Sequence, residues 1–150
     1  MAPTDLRSLL DDGAVQVIDL DWSRLYSKGH IPGAWWAIRA RIADAMRKMP
    51  STARIVLTSS DGALAELALR DVRAITDQPV FALSGGTDAW AASGFPIEQG
   101  LTRAACDVED IRLRAREQAV DKEAAMRDYL AWEIGLYELL KEDDDHRIKL

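Results

Sequence analysis

The chain has 150 residues, 48% of them hydrophobic and 29% charged, the scale of one ordinary globular domain with a core of its own. Against 25 acidic residues stand 19 basic ones, and the net charge of −6 argues against a nucleic-acid-binding surface. No apolar run reaches membrane-spanning length, no basic-then-apolar leader opens the chain, and the single cysteine, Cys106, allows no intrachain disulfide, so a cytoplasmic location is expected.

Residues 4–11 read as a first helix, with Thr4 or Asp5 as its cap. Val15-Gln16-Val17-Ile18-Asp19 follows an Asp11-Asp12-Gly13 turn and reads as a short strand. Residues 23–34 begin as a helical turn and pass into a loop punctuated by Gly29, Pro32 and Gly33. Residues 34–38 make a second strand, and 39–48 a helix that stops before Pro50. Arg54 to Thr58 is the clearest buried strand. Residues 62–76 then place Ala65, Ala68, Leu69, Val72 and Ile75 on one helical face. A strand over 79–83 and a helix over 85–94, terminated by Gly94, complete the series. Trp22, Trp35 and Trp36 fall close together and are expected to pack as core rings.

Short strands alternating with helices predict an α/β fold with a mostly parallel sheet covered on both faces. Ligands of such sheets sit at the carboxyl ends of the strands. Ser59-Ser60-Asp61-Gly62 stands at one such end, where a β-branched run gives way to a small polar turn and then a helix. That junction is where anions bind and nucleophiles sit. It is also where a helix needs its free N–H groups satisfied, and Ser59, Ser60 and Asp61 are all good caps. Asp61 is the best guess, with Ser60 as the other candidate. A carboxylate there gains about 0.3–1 kcal/mol from the helix dipole and puts negative charge in the loop's own anion site.

Beyond residue 100 the character changes. From Asp107 to Lys141, Gly135 is the one glycine and proline is absent, which predicts one or two helices. Within residues 129–140, Tyr129, Leu130, Trp132, Ile134, Leu136, Tyr137, Leu139 and Leu140 leave the helix apolar nearly all round, more than one buried stripe requires. We therefore expect a domain over 1–100 and a C-terminal helical extension over 101–150 that packs on the domain or on a partner. The tail is a charge run in which His146 carries no signal. No His, Cys or carboxylate set has metal-ligand spacing, and no dinucleotide-type glycine loop is present, so neither metal nor cofactor is expected. Cys106 is followed by Asp107, Glu109 and Asp110, a setting that does not favour a thiolate, and reads as a structural cysteine.

Taken together, three stretches resemble the rhodanese homology family. Val17 to Ala34 is similar to that family's strand-ending Asp followed by Gly-His-Ile-Pro-Gly-Ala, which Gly29 to Ala34 match in full. Ile55 to Ala68 stands in the place of its active-site strand, loop and helix, and Leu83 to Glu98 resembles its closing segment. The resemblance covers about residues 5–98. It implies a rhodanese-like α/β fold with a five-stranded parallel sheet and helices on both faces; the C-terminal helical extension lies beyond its reach.

Active members of that family carry a loop cysteine that takes a sulfane sulfur, holds it as a persulfide and passes it to a nucleophile. Their usual Cys-x-x-Gly-x-Arg pattern reads here Ser59, Ser60, Asp61, Gly62, Ala63, Leu64, and only Gly62 agrees. The arginine often found soon after the first strand's Asp is here Asp21. A serine hydroxyl does not form the S–S bond that sulfur storage needs, and an alcohol requires a strong general base to act as a nucleophile. The candidate base is His30, whose motif implies a loop-shaping role instead, and no Gly-x-Ser-x-Gly elbow surrounds Ser59. The loop is therefore expected to be degenerate, with no catalytic residue. The resemblance implies an inactive rhodanese-like domain, a structural or interaction module of the kind that occurs as one part of a tandem rhodanese protein. The alternative is a sulfurtransferase moving sulfane sulfur from thiosulfate or a persulfide donor to a thiophilic acceptor. The expected partner is a protein, either a tandem rhodanese domain or a second copy, met near Tyr129, Trp132, Leu136 and Leu140, with no nucleic acid and no membrane.

Overall fold

The β-branched runs build the sheet. In a computed structural model, which describes residues 1–111, 126–127 and 129–136, Val15–Asp19 (β1) and Arg54–Thr58 (β3) pair in parallel along their whole length. Val15 lies opposite Arg54, and Asp19 opposite Thr58. Trp35–Trp36 (β2) joins the other edge of β1, and Val80–Ala82 (β4) the other edge of β3, so the order is β2-β1-β3-β4. All three pairings are parallel, which requires the helical crossovers that the sequence supplies between strands.

The sheet has four strands where five were expected. Beyond β2 the chain returns as a single parallel bridge at Ala104. There Trp36 N–H donates to Arg103 O at 2.8 Å and Ala105 N–H to Trp36 O at 2.9 Å. A two-residue edge strand presents one such repeat, so the incoming segment makes a bridge and not a strand.

The helices are Pro3–Asp11 (α1), Ser23–Lys28 (α2), Ile42–Lys48 (α3), Ala63–Arg73 (α4) and Gly86–Ala92 (α5). Their ends correct the expectations in three places. The cap of α1 is Ala2, with Pro3 in the first turn where its missing N–H costs nothing, so neither Thr4 nor Asp5 caps it. The segment over 39–48 opens as a 3-10 turn, Arg39–Arg41, before α3. Because α4 stops at Arg73, Ile75 leaves the helical face and lies 45% exposed.

Side chains alternate across the sheet, as the period of 2 demands. On one face Ile18, Ile55 and Leu57 pack with Ala45 of α3 and Ala65, Ala68 and Val72 of α4. On the other, Val17 and Val56 pack with Leu6 of α1, Tyr26 of α2 and Trp90 of α5. Trp36 is fully buried and Trp35 packs against the first cluster, but Trp22 is 57% exposed and is no core ring. It precedes α2 at the cap position, where its backbone bonds the first turn and its side chain points outward.

Contacts divide the chain into two compact units, Met1–Ile111 and Arg112–Leu150. In the second, residues 129–136 are helical. Tyr129, Leu130, Trp132, Ile134 and Leu136 are each more than two-fifths exposed, with the Tyr129 and Trp132 rings 6.1 Å apart. Leu140 and the charged tail with His146 lie outside the described residues. Among the described residues no helix is long and apolar enough to cross a membrane.

Candidate functional site

The β3–α4 loop stands where the sheet's carboxyl end meets a helix N-terminus. Ser59 is 2% exposed and turned inward, and its Oγ accepts the Ala65 N–H at 3.4 Å, inside the first turn of α4. Ser59 Oγ therefore satisfies an N–H of the first turn of α4, whose cap position, Gly62, has no side chain to do so. Asp61 Oδ1 accepts the Ala63 N–H at 2.9 Å. Gly62 takes φ +85°, a left-handed backbone that suits glycine, and a Cβ there would lie 2.9 Å from Leu83 O.

The start of α5 presses on the same loop. Thr87 N–H donates to Ser59 O and Asp88 N–H to Ser60 O, both at 2.9 Å. The contact is so close that a Cβ on Gly86 would lie 2.0 Å from Ser59 O and 2.5 Å from Ser60 O. Gly86, with Gly62 facing it, lets the two backbones meet.

Asp21 closes the loop from a third side. Its Oδ2 accepts the Ser60 N–H at 2.6 Å and also the Ser60 hydroxyl. Asp21 is itself held at two backbone points: its N–H donates to Asp19 Oδ1 at 2.9 Å, and its carbonyl accepts the Trp36 Nε1–H at 2.7 Å. Asp19 is 2% exposed, and burial pushes its carboxyl up to about 7, with the nearby Asp21 charge adding to the rise and hydrogen bonds from Asp21 and Thr87 opposing it. Asp19, Asp21, Ser60, Thr87, Asp88 and Lys28 contribute to the wall of a cleft of about 280 Å³ beside the loop, with Leu25, Ala91 and Ile97 as apolar lining. Its charged lining is mainly acidic.

The structure does not bring His30 to Ser59 as a base. His30 is fully buried and stacked on Tyr26 at 3.7 Å. Its Nδ1 lies 2.9 Å from Tyr26 O, an acceptor only, so Nδ1 carries the proton and donates. Its Nε2 is 3.3 Å from Thr102 Oγ1 and 3.7 Å from Glu98 Oε2. Glu98 in turn accepts the Gly33 N–H at 3.0 Å, and that bond, first among several causes, holds its carboxyl below the usual range. His30 thus ties the α2–β2 loop to the returning chain.

Cys106 lies half-buried in a separate cleft of about 370 Å³, lined also by Arg41, Asp44, Arg47, Lys48 and Glu109. Arg41 is paired with Glu109 and Arg47 with Asp44. None of the residues lining the Cys106 cleft lines the one beside Ser60. Among the described residues no group of three or more His, Cys, Asp or Glu side chains is arranged to hold a metal ion.

Sequence reasoning noted Asp21 only as an arginine's replacement and looked to Asp61 for the charge in the loop. The signal for Asp21 was available: an Asp two residues past a strand end has the reach to cross to the next parallel strand's end. The grip of Trp36 on its backbone was not readable, because it joins elements 15 positions apart through a side chain.

The model of a family described as Rhodanese-like domain matches residues 2–93. A crystal structure of a thiosulfate sulfurtransferase from Pseudomonas aeruginosa shares 37% identity with a TM-score of 0.88, over 100% of this chain and 29% of that one. The chain thus spans less than a third of that protein. The rhodanese-like domain of an Anabaena sp. protein, solved by NMR, is 25% identical over 75% of this chain and 89% of its own, with a TM-score of 0.59. A 3-mercaptopyruvate sulfotransferase from Escherichia coli, at 20% identity and a TM-score of 0.58 over 69% of this chain and 52% of that one, shares the fold. No curated protein gives a match.

Proposed function

The chain belongs to the rhodanese-like domain family, and we propose that it is a non-catalytic member whose work is structural or interactive. One observation carries the reading: the side chain at the nucleophile's position is a serine whose Oγ accepts an N–H of the first turn of α4, within a loop held by Asp21, Asp61 and the start of α5. Sulfur storage needs a polarisable thiolate at that position, and the sole cysteine of the chain lines a different cleft. The interaction role belongs to the extension. Tyr129, Trp132 and Leu136, exposed as they are, and Leu140 in sequence meet a protein partner, a neighbouring rhodanese-like domain of a longer chain or a second copy. Light scattering on the chain and on a 126–150 deletion tests this. A strict monomer whose deletion stays soluble and folded removes the interface.

A second reading is supported by the 37% identity to a thiosulfate sulfurtransferase. In it the chain itself moves sulfane sulfur from thiosulfate or a persulfide donor to a thiophilic acceptor, by a route that does not use a cysteine in the β3–α4 loop. The thiosulfate-to-cyanide assay on the purified 150-residue protein separates the two. The non-catalytic reading expects no turnover above buffer; turnover abolished by Ser59→Ala overturns it. Ser59→Cys combined with Leu64→Arg asks how much of the scaffold remains competent, and gain of activity would mean that the site alone was lost.

A further inference from the structure

Deepening that reading, and resting on it, we propose that Asp21 is the residue that keeps the β3–α4 loop closed to external anions, by holding its own carboxylate where an oxyanion would sit. Three sets of donors open α4. The Ala63 N–H is taken by Asp61 and the Ala65 N–H by Ser59 Oγ, both acceptors from the loop itself. The Ser60 N–H and hydroxyl are taken by Asp21, which arrives from 39 positions away. Asp21 is thus an intruder, a charged acceptor carried in from the end of another strand.

Its position needs no adjustment of the loop. The backbone of Asp21 is pinned on both sides, by Asp19 Oδ1 at its N–H and by Trp36 Nε1 at its carbonyl. A pre-placed carboxylate on an N–H and an O–H donor makes charge-assisted hydrogen bonds that a diffusing anion must displace while meeting the same negative charge. Asp21 and Ser60 share the wall of the cleft of about 280 Å³. Taking the carboxylate away opens the Ser60 donors to that space, which exceeds the roughly 30 Å³ share of a water several times over and admits a tetrahedral oxyanion.

Other charges face the cleft. Asp88 is exposed and solvated, and Lys28 has the opposite sign. Tyr26 stays neutral, its phenol pushed up from the usual value chiefly by burial. Asp19, pushed up to about 7 by burial, is mostly protonated at mildly acid pH and adds little repulsion there. Asp21 is the acidic side chain in contact with the Ser60 donors.

The test is titration of the full chain with inorganic sulfate near pH ~6, followed by heteronuclear NMR at the Ser60 and Ala63 amides. The wild type should show weak, non-saturating shifts. Asp21→Ala should saturate at Ser60 with affinity about tenfold tighter or more. Asp21→Asn, which keeps an acceptor oxygen without the charge, should fall between, and it carries the comparison if the alanine variant does not fold. Saturable wild-type binding as tight as in the variants overturns the proposal, and so does a folded Asp21→Ala whose Ser60 amide ignores sulfate. Turnover by the wild type would overturn the non-catalytic reading through a separate readout; an unresponsive Ser60 overturns this inference and leaves that reading standing.

Discussion

The α2–β2 loop and the β3–α4 loop satisfy their polar groups by different means. In the first, one carboxylate takes part, Glu98 on the Gly33 N–H at 3.0 Å, and the other partners are neutral or backbone. His30 pairs with Glu98 through two backbone hydrogen bonds of 2.9 Å, donates from Nδ1 to Tyr26 O, and stacks on the Tyr26 ring, whose hydroxyl reaches Ala34 O at 2.8 Å. In the second, carboxylates take part: Asp21 on Ser60 and Asp61 on Ala63. The first loop holds the Gly29-to-Ala34 motif, and its hydrogen bonds tie it to α2 and to the returning chain at Glu98 and Thr102. A chain can therefore carry a family motif in full while the loop that would do chemistry is built of other residues.

The difference predicts unequal sensitivity to substitution. His30→Ala should be the most damaging change, about 3–5 kcal/mol, because it leaves a buried cavity, an unpaired carbonyl and an unstacked ring. Urea unfolding measures it, and a loss no larger than that of a surface residue would show that the motif is not the anchor. Gly86→Ala comes next. Its φ is +61° and its Cβ would meet Ser59 O at 2.0 Å, so about 3 kcal/mol should be lost. Gly33→Ala in the other loop, with φ +78° and open space around it, should cost only about 1 kcal/mol. Equal costs would mean that the α5–loop contact is looser than described.

Asp19 adds a pH dependence to the comparison. Burial keeps its proton on in the folded chain up to about 7, while an unfolded aspartate loses it near its ordinary value of 3.8. Its contribution to stability is therefore greatest below about pH 4 and is lost progressively as pH rises toward 7. Asp19→Asn keeps an acceptor for the Asp21 N–H and removes the charge. It should raise stability by about 2 kcal/mol at pH ~8, half of the roughly 4 kcal/mol that such a shift represents, with the gain vanishing near pH ~4. Thermal melts across that range check the slope, and a gain independent of pH would assign the effect to packing. Smallest of all, Ser59→Ala should cost about 0.5–1 kcal/mol, the worth of one long hydrogen bond.

Strand and helix order was legible in the sequence because Val15–Asp19 and Arg54–Thr58 are β-branched runs and the face of α4 from Ala65 to Val72 is periodic. The fifth strand was not, since whether the returning chain around Ala104 forms a strand or a bridge depends on the length of the neighbouring edge. At the site, residue type and position pointed to Asp61, and then Ser60, as the cap; Asp61 accepts the Ala63 N–H, but Gly62 holds the cap position of α4, the Ala65 N–H goes to Ser59, and Ser60 bonds Asp21 instead. Asp21 on Ser60 was only half readable: its place two residues past β1 gives it the reach, but that β1 and β3 lie side by side had to come from the structure. Trp22 misled because grouping it with Trp35 and Trp36 by residue type took no account of its place ahead of α2, where it lies 57% exposed.

The central claim is that this chain stores no sulfur. The most direct measurement is the intact mass of the protein after incubation with thiosulfate, with peptide mapping of Cys106. In a sulfur transfer the thiolate attacks the sulfane sulfur, an S–S bond forms on the protein and sulfite leaves. The account predicts an unchanged mass and an unmodified Cys106. A stoichiometric gain of one sulfur, removed by reductant and mapped to Cys106, would contradict it.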